Sequence, residues 1–374
     1  MVQLNSIFAA STLALPLVLA APKPHSYEDN DTPLPLIVWH GLGDSYTGEG
    51  LLDVISLAEE MNPGLFTYAI RINEDPSLDQ RATFLGNLTE QIDQVCRDLA
   101  THPIRSTAPA VDAMGFSQGG QFLRGYVERC NFPPVRNLLT FGSQHNGISA
   151  FQGCKPFDLV CKGAQLLLRA GTWTQAVQSK LVPAQYFRDP AQLEQYLEHS
   201  NFLADINNER VLKNKTYKEN ILKLENFVMY LFDEDTTVIP KETSWFGEIV
   251  EEQYVPLVNR SIYTEDWLGL KQLDEEGKLV FENINGGHMQ IGDKVLKKAF
   301  TDYLGPETKK FPHHPKNGDG PGGPKPTNSS TSQGSTTHTL SPGPTDAPAK
   351  PAPLKPEPTE DKPKDPEGQV PLHV

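Results

Sequence analysis

Met114-Gly115-Phe116-Ser117-Gln118-Gly119-Gly120 is the stretch on which the reading of this chain turns. The apolar run Ala110 to Phe116 reads as a buried strand, and Gln121 to Arg129 reads as a helix. A Gly-x-Ser-x-Gly between a strand and a helix forces so sharp a turn that the serine adopts a strained conformation. Glycines at the flanking positions let neighbouring segments close in. The turn lifts Ser117 Oγ above the sheet and sets the first helical amides, Gln118 foremost, beside the place where an oxyanion would form. An ordinary glycine-rich turn is the competing reading, and the strand-before, helix-after context favours a nucleophile.

Further strands and helices alternate around this turn. Leu34 to Trp39 reads as a buried strand opening into His40-Gly41-Leu42-Gly43-Asp44-Ser45, a glycine loop in which the Leu42 amide is the candidate second oxyanion donor. Gly50 to Met61 reads as a helix and Leu65 to Ile72 as a strand. Leu85, Leu88, Ile92, Val95 and Leu99 recur at helical spacing and predict one helix over Ala82 to Ala100, with Asn87 off its apolar stripe. Val135 to Phe141, Asn226 to Phe232 and Leu279 to Ile284 read as strands, and Asp293 to Tyr303 as the last helix. This alternation predicts an α/β fold with a mainly parallel sheet and helices on both faces, the α/β-hydrolase arrangement.

Between about 148 and 224 the rhythm breaks into helical patches: Leu166 to Leu168, Trp173, Val177, Leu181, Tyr186, Phe187, Leu193, Leu197 and Phe202. The expectation is a helical insertion over the active site, most of whose apolar residues form its own core while the rest line a groove for a fatty chain. Past it, the Asn226 to Phe232 strand ends in Asp233-Glu234-Asp235, where an acid is expected, and composition does not choose among the three. Of the ten histidines, His288 alone follows a late strand in a glycine loop, Asn285-Gly286-Gly287-His288. Serine, acid, histidine is the α/β-hydrolase chain order.

Composition sets the surroundings. Residues 1–20 read as a secretory signal, apolar and ending in small residues, though no basic residue precedes the core. Pro16 and the short length argue against a transmembrane anchor. Cys96, Cys130, Cys154 and Cys161 are an even number in a chain read as exported, so disulfides are expected, and their spacing does not suit zinc or another metal. Glycosylation sequons stand at Asn30, Asn87, Asn214, Asn259 and Asn328. The net charge of -14 argues against nucleic acid as a partner. From residue 311 the chain turns rich in proline, serine and threonine, with almost half of its 32 prolines. Such a segment buries too little apolar surface to offset its ordering entropy, so 311–374 is expected to be a disordered tail and 21–310 the hydrolase domain.

Several stretches carry a family resemblance: Val38-Trp39-His40-Gly41-Leu42-Gly43-Asp44-Ser45 and Met114 to Arg124, which other esterases share, and the more specific Gly142-Ser143-Gln144-His145-Asn146-Gly147, Phe202 to Arg210, Ser244 to Gly247 and Tyr263 to Asp274. From about Leu34 to Gly305 the chain resembles the palmitoyl-protein thioesterases of the lysosomal type, in a fungal-style version with a proline-rich tail. The resemblance implies hydrolysis of long-chain acyl thioesters on cysteine of proteins or peptides, without cofactor, in the lysosome or vacuole or outside the cell. Ser117, an acid and His288 would be the triad. The family's acid stands five residues before the proline that here is Pro240, which is Asp235. The resemblance also implies the pairs Cys96 with Cys130 and Cys154 with Cys161. Two positions depart from the family: Tyr46 and Thr47 stand where animal members carry adjacent cysteines, and Gly287 where they carry an acid. A secreted carboxylesterase or lipase acting on oxygen esters, and an idle lipid-binding protein on the same scaffold, are the alternatives that sequence leaves open.

Overall fold

The computed structural model describes residues 31–104, 108–150, 171–312 and 314. The expected signal, Asn30, Asn328, Cys154, Cys161, Leu166 to Leu168 and the tail beyond His314 lie outside these residues. Six strands form one wholly parallel sheet in the order β2-β1-β3-β4-β5-β8. They are β1 Leu36–Trp39, β2 Thr67–Ala69, β3 Val111–Phe116, β4 Val135–Phe141, β5 Asn226–Phe232 and β8 Leu279–Ile284. A short antiparallel hairpin, β6 Glu248–Val250 with β7 Gln253–Val255, stands apart.

Strand periodicity divides the core in two. In β1, Ile37 and Trp39 enter one apolar cluster while Leu36 and Val38 enter the other, and Leu138 and Leu139 of β4 part in the same way. On the first face pack α3 (Leu88–Thr101) through Ile92, Val95 and Leu99, and the elbow helix Gln118–Arg129 through Phe122, Leu123 and Tyr126. On the second face lie α1 (Glu49–Met61), through Leu51 and Ala58, and the last helix Asp293–Tyr303, through Leu296, Ala299 and Phe300. A sheet covered on both faces needs continuous apolar strands, and β1, β3, β4 and β5 are buried throughout.

The helix read over Ala82 to Ala100 begins six residues later, at Leu88, and a separate helix ends at Ala82. Helix α2, Pro76–Ala82, is capped by Asp75, which accepts the Ser77 and Leu78 amides, and α3 starts only at Leu88. Gly86 at φ 145° turns the chain, Asn87 accepts the Thr89 amide as the new cap, and Leu85 leaves the apolar stripe to bridge Leu181. A disulfide joins Cys96 of α3 to Cys130 at the end of the elbow helix, with Cα atoms 6.0 Å apart. In the inserted region, Val182, Tyr186, Tyr196 and Phe202 are buried in the same cluster as α3 and the elbow helix. Its described part therefore extends the main core rather than forming one of its own, as the sequence reading had it. At the other end, Phe311 packs on the second face and its ring lies 5.2 Å from the Arg136 guanidinium, so packed structure runs just past Lys310.

Candidate active site

The site is built where β3, β5 and β8 end. Ser117 follows β3 at φ 52°, ψ -125°, a conformation that costs on the order of 1–3 kcal/mol and persists only where its surroundings over-determine it. They do so here. The Ser117 amide donates to the Phe141 carbonyl at 2.8 Å, and a Cβ on Gly119 would lie 2.4 Å from the carbonyl oxygens of Trp39 and His40. Gly115 is as confined, since a Cβ there would come within 2.3 Å of Gly120 Cα. Only glycine fits at either position, which is the physical content of the motif.

Because β5 and β8 are neighbours, the loops that follow them meet. His288 Nε2 is 3.0 Å from Ser117 Oγ, and His288 Nδ1 is 2.7 Å from Asp235 Oδ2. The Asp235 carboxylate is buried, and its other oxygen accepts the Thr237 and Val238 amides at 2.8 and 2.9 Å. Those two bonds fix the carboxylate, and the carboxylate in turn fixes the imidazole with Nδ1 protonated and Nε2 free to accept from the serine. Asp233 instead accepts from Asn283 at 2.9 Å, and Glu234 is exposed. Of the three acids after β5, the fold brings Asp235 to the histidine.

The two candidate oxyanion amides flank the serine. Gln118 is the first residue of its helix, where no carbonyl lies a turn back to accept its N–H. The Leu42 amide has no backbone partner among the described residues, and its loop is tightly held. Gly43 donates to Thr83 Oγ1 at 2.9 Å, and a Cβ on Gly41 would meet Ser117 Cβ at 3.2 Å.

Contacts that no sequence pattern recorded hold this frame. Buried Asp79 takes His40 Nε2 at 2.9 Å and the Tyr46 and Ile72 amides at 2.9 and 2.7 Å. Burial raises its pKa, but the hydrogen bonds from His40, Tyr46 and Ile72 outweigh that and leave it lowered. Tyr46, which stands where a cysteine was expected from the family, donates its hydroxyl to the Glu74 carbonyl at 2.7 Å and so tethers the loop by another means. Tyr186 of the insertion donates to Gln118 Oε1 at 2.9 Å. Behind the elbow helix, Arg124 bonds Glu128 at 2.8 Å, Asn207 at 2.7 Å and His145 Nδ1 at 3.2 Å, while His145 Nε2 meets Thr140 at 3.0 Å. Burial and the neighbouring guanidinium push the His145 pKa well down, so it stays neutral and accepts from Arg124. His145 of the Gly142 to Gly147 motif thus braces the elbow helix against β4.

Residues 35–288 match the model of the family described as palmitoyl protein thioesterase. The chain belongs to that family. It is 37% identical over 267 residues to "Palmitoyl-protein thioesterase 1" of Caenorhabditis elegans, covering 70% of this chain and 89% of the relative. It is 35% identical over 275 residues to a palmitoyl-protein thioesterase-dolichyl pyrophosphate phosphatase fusion of Schizosaccharomyces pombe, covering 72% of this chain but 44% of that longer protein. "Lysosomal thioesterase PPT2" of Homo sapiens is 30% identical over 272 residues, covering 71% of this chain and 83% of the relative. The family's members are hydrolases, and Ser117, Asp235 and His288 all fall in the matched segment, His288 as its last residue.

Of the expected glycosylation positions, Asn214 and Asn259 are exposed and Asn87 is half-buried. Asn87 Oδ1 caps α3 and also accepts from Asn201 at 2.9 Å. Among the described residues, no helix is long and apolar enough to cross a membrane.

Proposed function

We propose that this chain hydrolyses the thioester joining a long-chain fatty acid, palmitate foremost, to cysteine in proteins or peptides. The reading is carried by the continuous hydrogen-bond chain Asp235, His288, Ser117 at a strained turn, in a member of the palmitoyl protein thioesterase family. His288 takes the Ser117 proton as Oγ adds to the thioester carbonyl. The tetrahedral oxyanion is held by the Leu42 and Gln118 amides, each such donor being worth about 2.7–4 kcal/mol. The C–S bond then breaks, His288 returns its proton to the departing sulfur, and an acyl-Ser117 ester remains. A cysteine thiol has a reference pKa of about 8.5, so it leaves with far less acid assistance than an amine needs. Water, deprotonated by His288, hydrolyses the ester and releases the fatty acid.

The leader-like start, the sequons, the disulfide and the lysosomal relative support a place along the secretory route, in the lysosome or vacuole or outside the cell. The decisive experiment measures kcat/KM on matched palmitoyl thioester and palmitoyl oxygen-ester substrates, for the full chain and for Ser117→Ala. Thioester turnover well above oxyester turnover, lost in Ser117→Ala together with labelling by a serine-directed phosphonate, is the expected result. Faster oxyester turnover makes the chain a carboxylesterase, and absence of both turnover and labelling makes it a binding protein.

A further inference from the structure

A cavity of about 400 Å³, lined by His40, Gly41 and the chain neighbours of the site residues, Phe116 and Met289, lies on the face of the sheet opposite the described part of the insertion. Its apolar walls include Leu51 and Val54 of α1, Leu296 of the last helix, Phe116, Met289 and Ile291. All six belong to the second-face cluster, whereas the buried side chains of the insertion, Val182, Tyr186, Tyr196 and Phe202, belong to the first. Phe116 immediately precedes the nucleophile and Met289 immediately follows His288. Around these walls stand three carboxylates, Asp44, Asp53 and Asp293, and among the described residues no lysine or arginine lines the space.

Position and charge together say what the cavity accommodates. The departing sulfur must come within hydrogen-bond reach of His288 Nε2, and Met289, the next residue, forms the cavity wall with Ile291, so the cavity is within reach of the chain attached to that sulfur. The two helices that start here, at Glu49 and Asp293, have no side-chain cap, and each contributes roughly half a positive charge. Two such half-charges offset about one of the three carboxylates. Lys297 stands 4.0 Å from Asp293, but both side chains are well exposed and their pairing is screened. Buried His40, the remaining titratable group on the lining, is paired with Asp79. An apolar pocket with a net negative border suits an amphipathic cation, whose aliphatic stem packs on the walls while its charged head stays at the carboxylates.

We propose that this cavity binds the leaving portion of the substrate and selects S-acylated peptides with lysine or arginine close to the acylated cysteine. The inference rests on the thioesterase reading above and adds the substrate class. Its test uses the full chain with S-palmitoyl peptides of equal length whose cysteine is flanked by lysine, glutamine or glutamate. S-palmitoyl-N-acetylcysteamine serves as a thioester with a small neutral leaving group. In the wild type, kcat/KM relative to the small thioester should run lysine over glutamine over glutamate, with about five- to tenfold between the extremes. The spread should shrink at about 0.5 M salt and collapse toward unity in Asp53→Asn/Asp293→Asn. Filling the space with Val54→Trp should depress peptide turnover more than turnover of the small thioester. Equal rates on lysine and glutamate peptides, or a preference that survives the double substitution, overturn the proposal. So does a Val54→Trp variant whose acyl-length optimum shortens with every leaving group, which would make the cavity an acyl pocket. A wild type inactive on every thioester overturns the thioesterase reading as well, whereas an active one with equal ratios overturns this inference alone.

Discussion

Tyr186 donates its buried hydroxyl to Gln118 Oε1 at 2.9 Å, and Gln118 Nε2 in turn donates to the Thr83 carbonyl at 3.2 Å. The inserted segment therefore grips the residue that directly follows the nucleophile and ties it to the same Thr83 that holds the glycine loop through the Gly43 amide. Both candidate oxyanion donors are positioned from one anchor.

Removing the phenol tests that coupling. Tyr186→Phe keeps the ring in the core but leaves Gln118 Oε1 buried without its donor, which should lower stability by about 1–3 kcal/mol. Because Gln118 is then free to shift, kcat on a palmitoyl thioester should fall several-fold while KM changes little. Denaturant unfolding and steady-state kinetics on one preparation check both. A variant with lowered stability and unaltered kcat would show that Tyr186 merely packs.

The three acids after β5 make separable predictions. Asp235→Asn retains an oxygen for the Thr237 and Val238 amides, so the loop should survive, but an amide at this position favours the wrong histidine tautomer. Turnover should drop by roughly 10⁴-fold, as in comparable triads. Asp233→Asn and Glu234→Gln should each cost less than about tenfold, because Asp233 bonds Asn283 and Glu234 faces solvent. Circular dichroism alongside the kinetics separates a chemical loss from misfolding. A deeper loss in Asp233→Asn would move the role to that residue.

Much of this arrangement was legible in the sequence, for definite reasons. β4, β5 and β8 were read with the bounds the structure gives, because each is dense in apolar residues and ended by turn residues, even though β8, at the sheet edge, is only partly buried. The Gly-x-Ser-x-Gly turn was legible because steric crowding at Gly115 and Gly119 admits no other residue. The β6–β7 hairpin escaped notice because its turn uses Glu251 and Glu252 at φ 49° and 63° in place of the Asn-Gly pair that marks such turns. The contacts of Asp79, Thr83 and Tyr186 escaped for another reason: they span 39 to 68 residues of chain, and no local pattern records a partner that distant. The break between α2 and α3 did leave a signal, Gly86-Asn87, which the apolar spacing of Leu85 masked.

The Cys96–Cys130 bridge closes a loop of 34 residues between two helices of the same face. In the chain-entropy model such a loop stabilises the fold by about 3–4 kcal/mol, so the Cys96→Ser/Cys130→Ser chain should lose roughly that much in denaturant unfolding. Non-reduced peptide mapping should recover this pair, and with it Cys154 joined to Cys161 as the family resemblance implies. A Cys96–Cys154 peptide would contradict both pairings.

The pH dependence of stability offers the last test, and Asp112 is its clearest source. It is fully buried on β3 and accepts from Arg136 Nε at 3.0 Å and Asn137 Nδ2 at 2.9 Å. Burial raises its pKa from 3.8 to about 6 in spite of the Arg136 guanidinium. The folded state thus holds this proton more tightly than the unfolded chain does. Its contribution is complete below about pH 3.8 and is lost as the pH rises through about 6. Glu128, raised to about 8 by burial against the pull of Arg124, acts in the same direction. His145 opposes them: its depressed pKa contributes stability at neutral pH that is lost as the pH falls below its ordinary value of 6.5. The wild-type profile mixes these trends, so the informative quantity is the difference between wild type and Asp112→Asn. The Tm of Asp112→Asn minus that of the wild type should rise by a few degrees between pH 4 and pH 7, since the substitution removes a group whose contribution fades over that interval. Thermal melts of both proteins at half-unit pH steps measure it. A flat or falling difference would mean that Asp112 is ionised throughout, with Arg136 outweighing its burial.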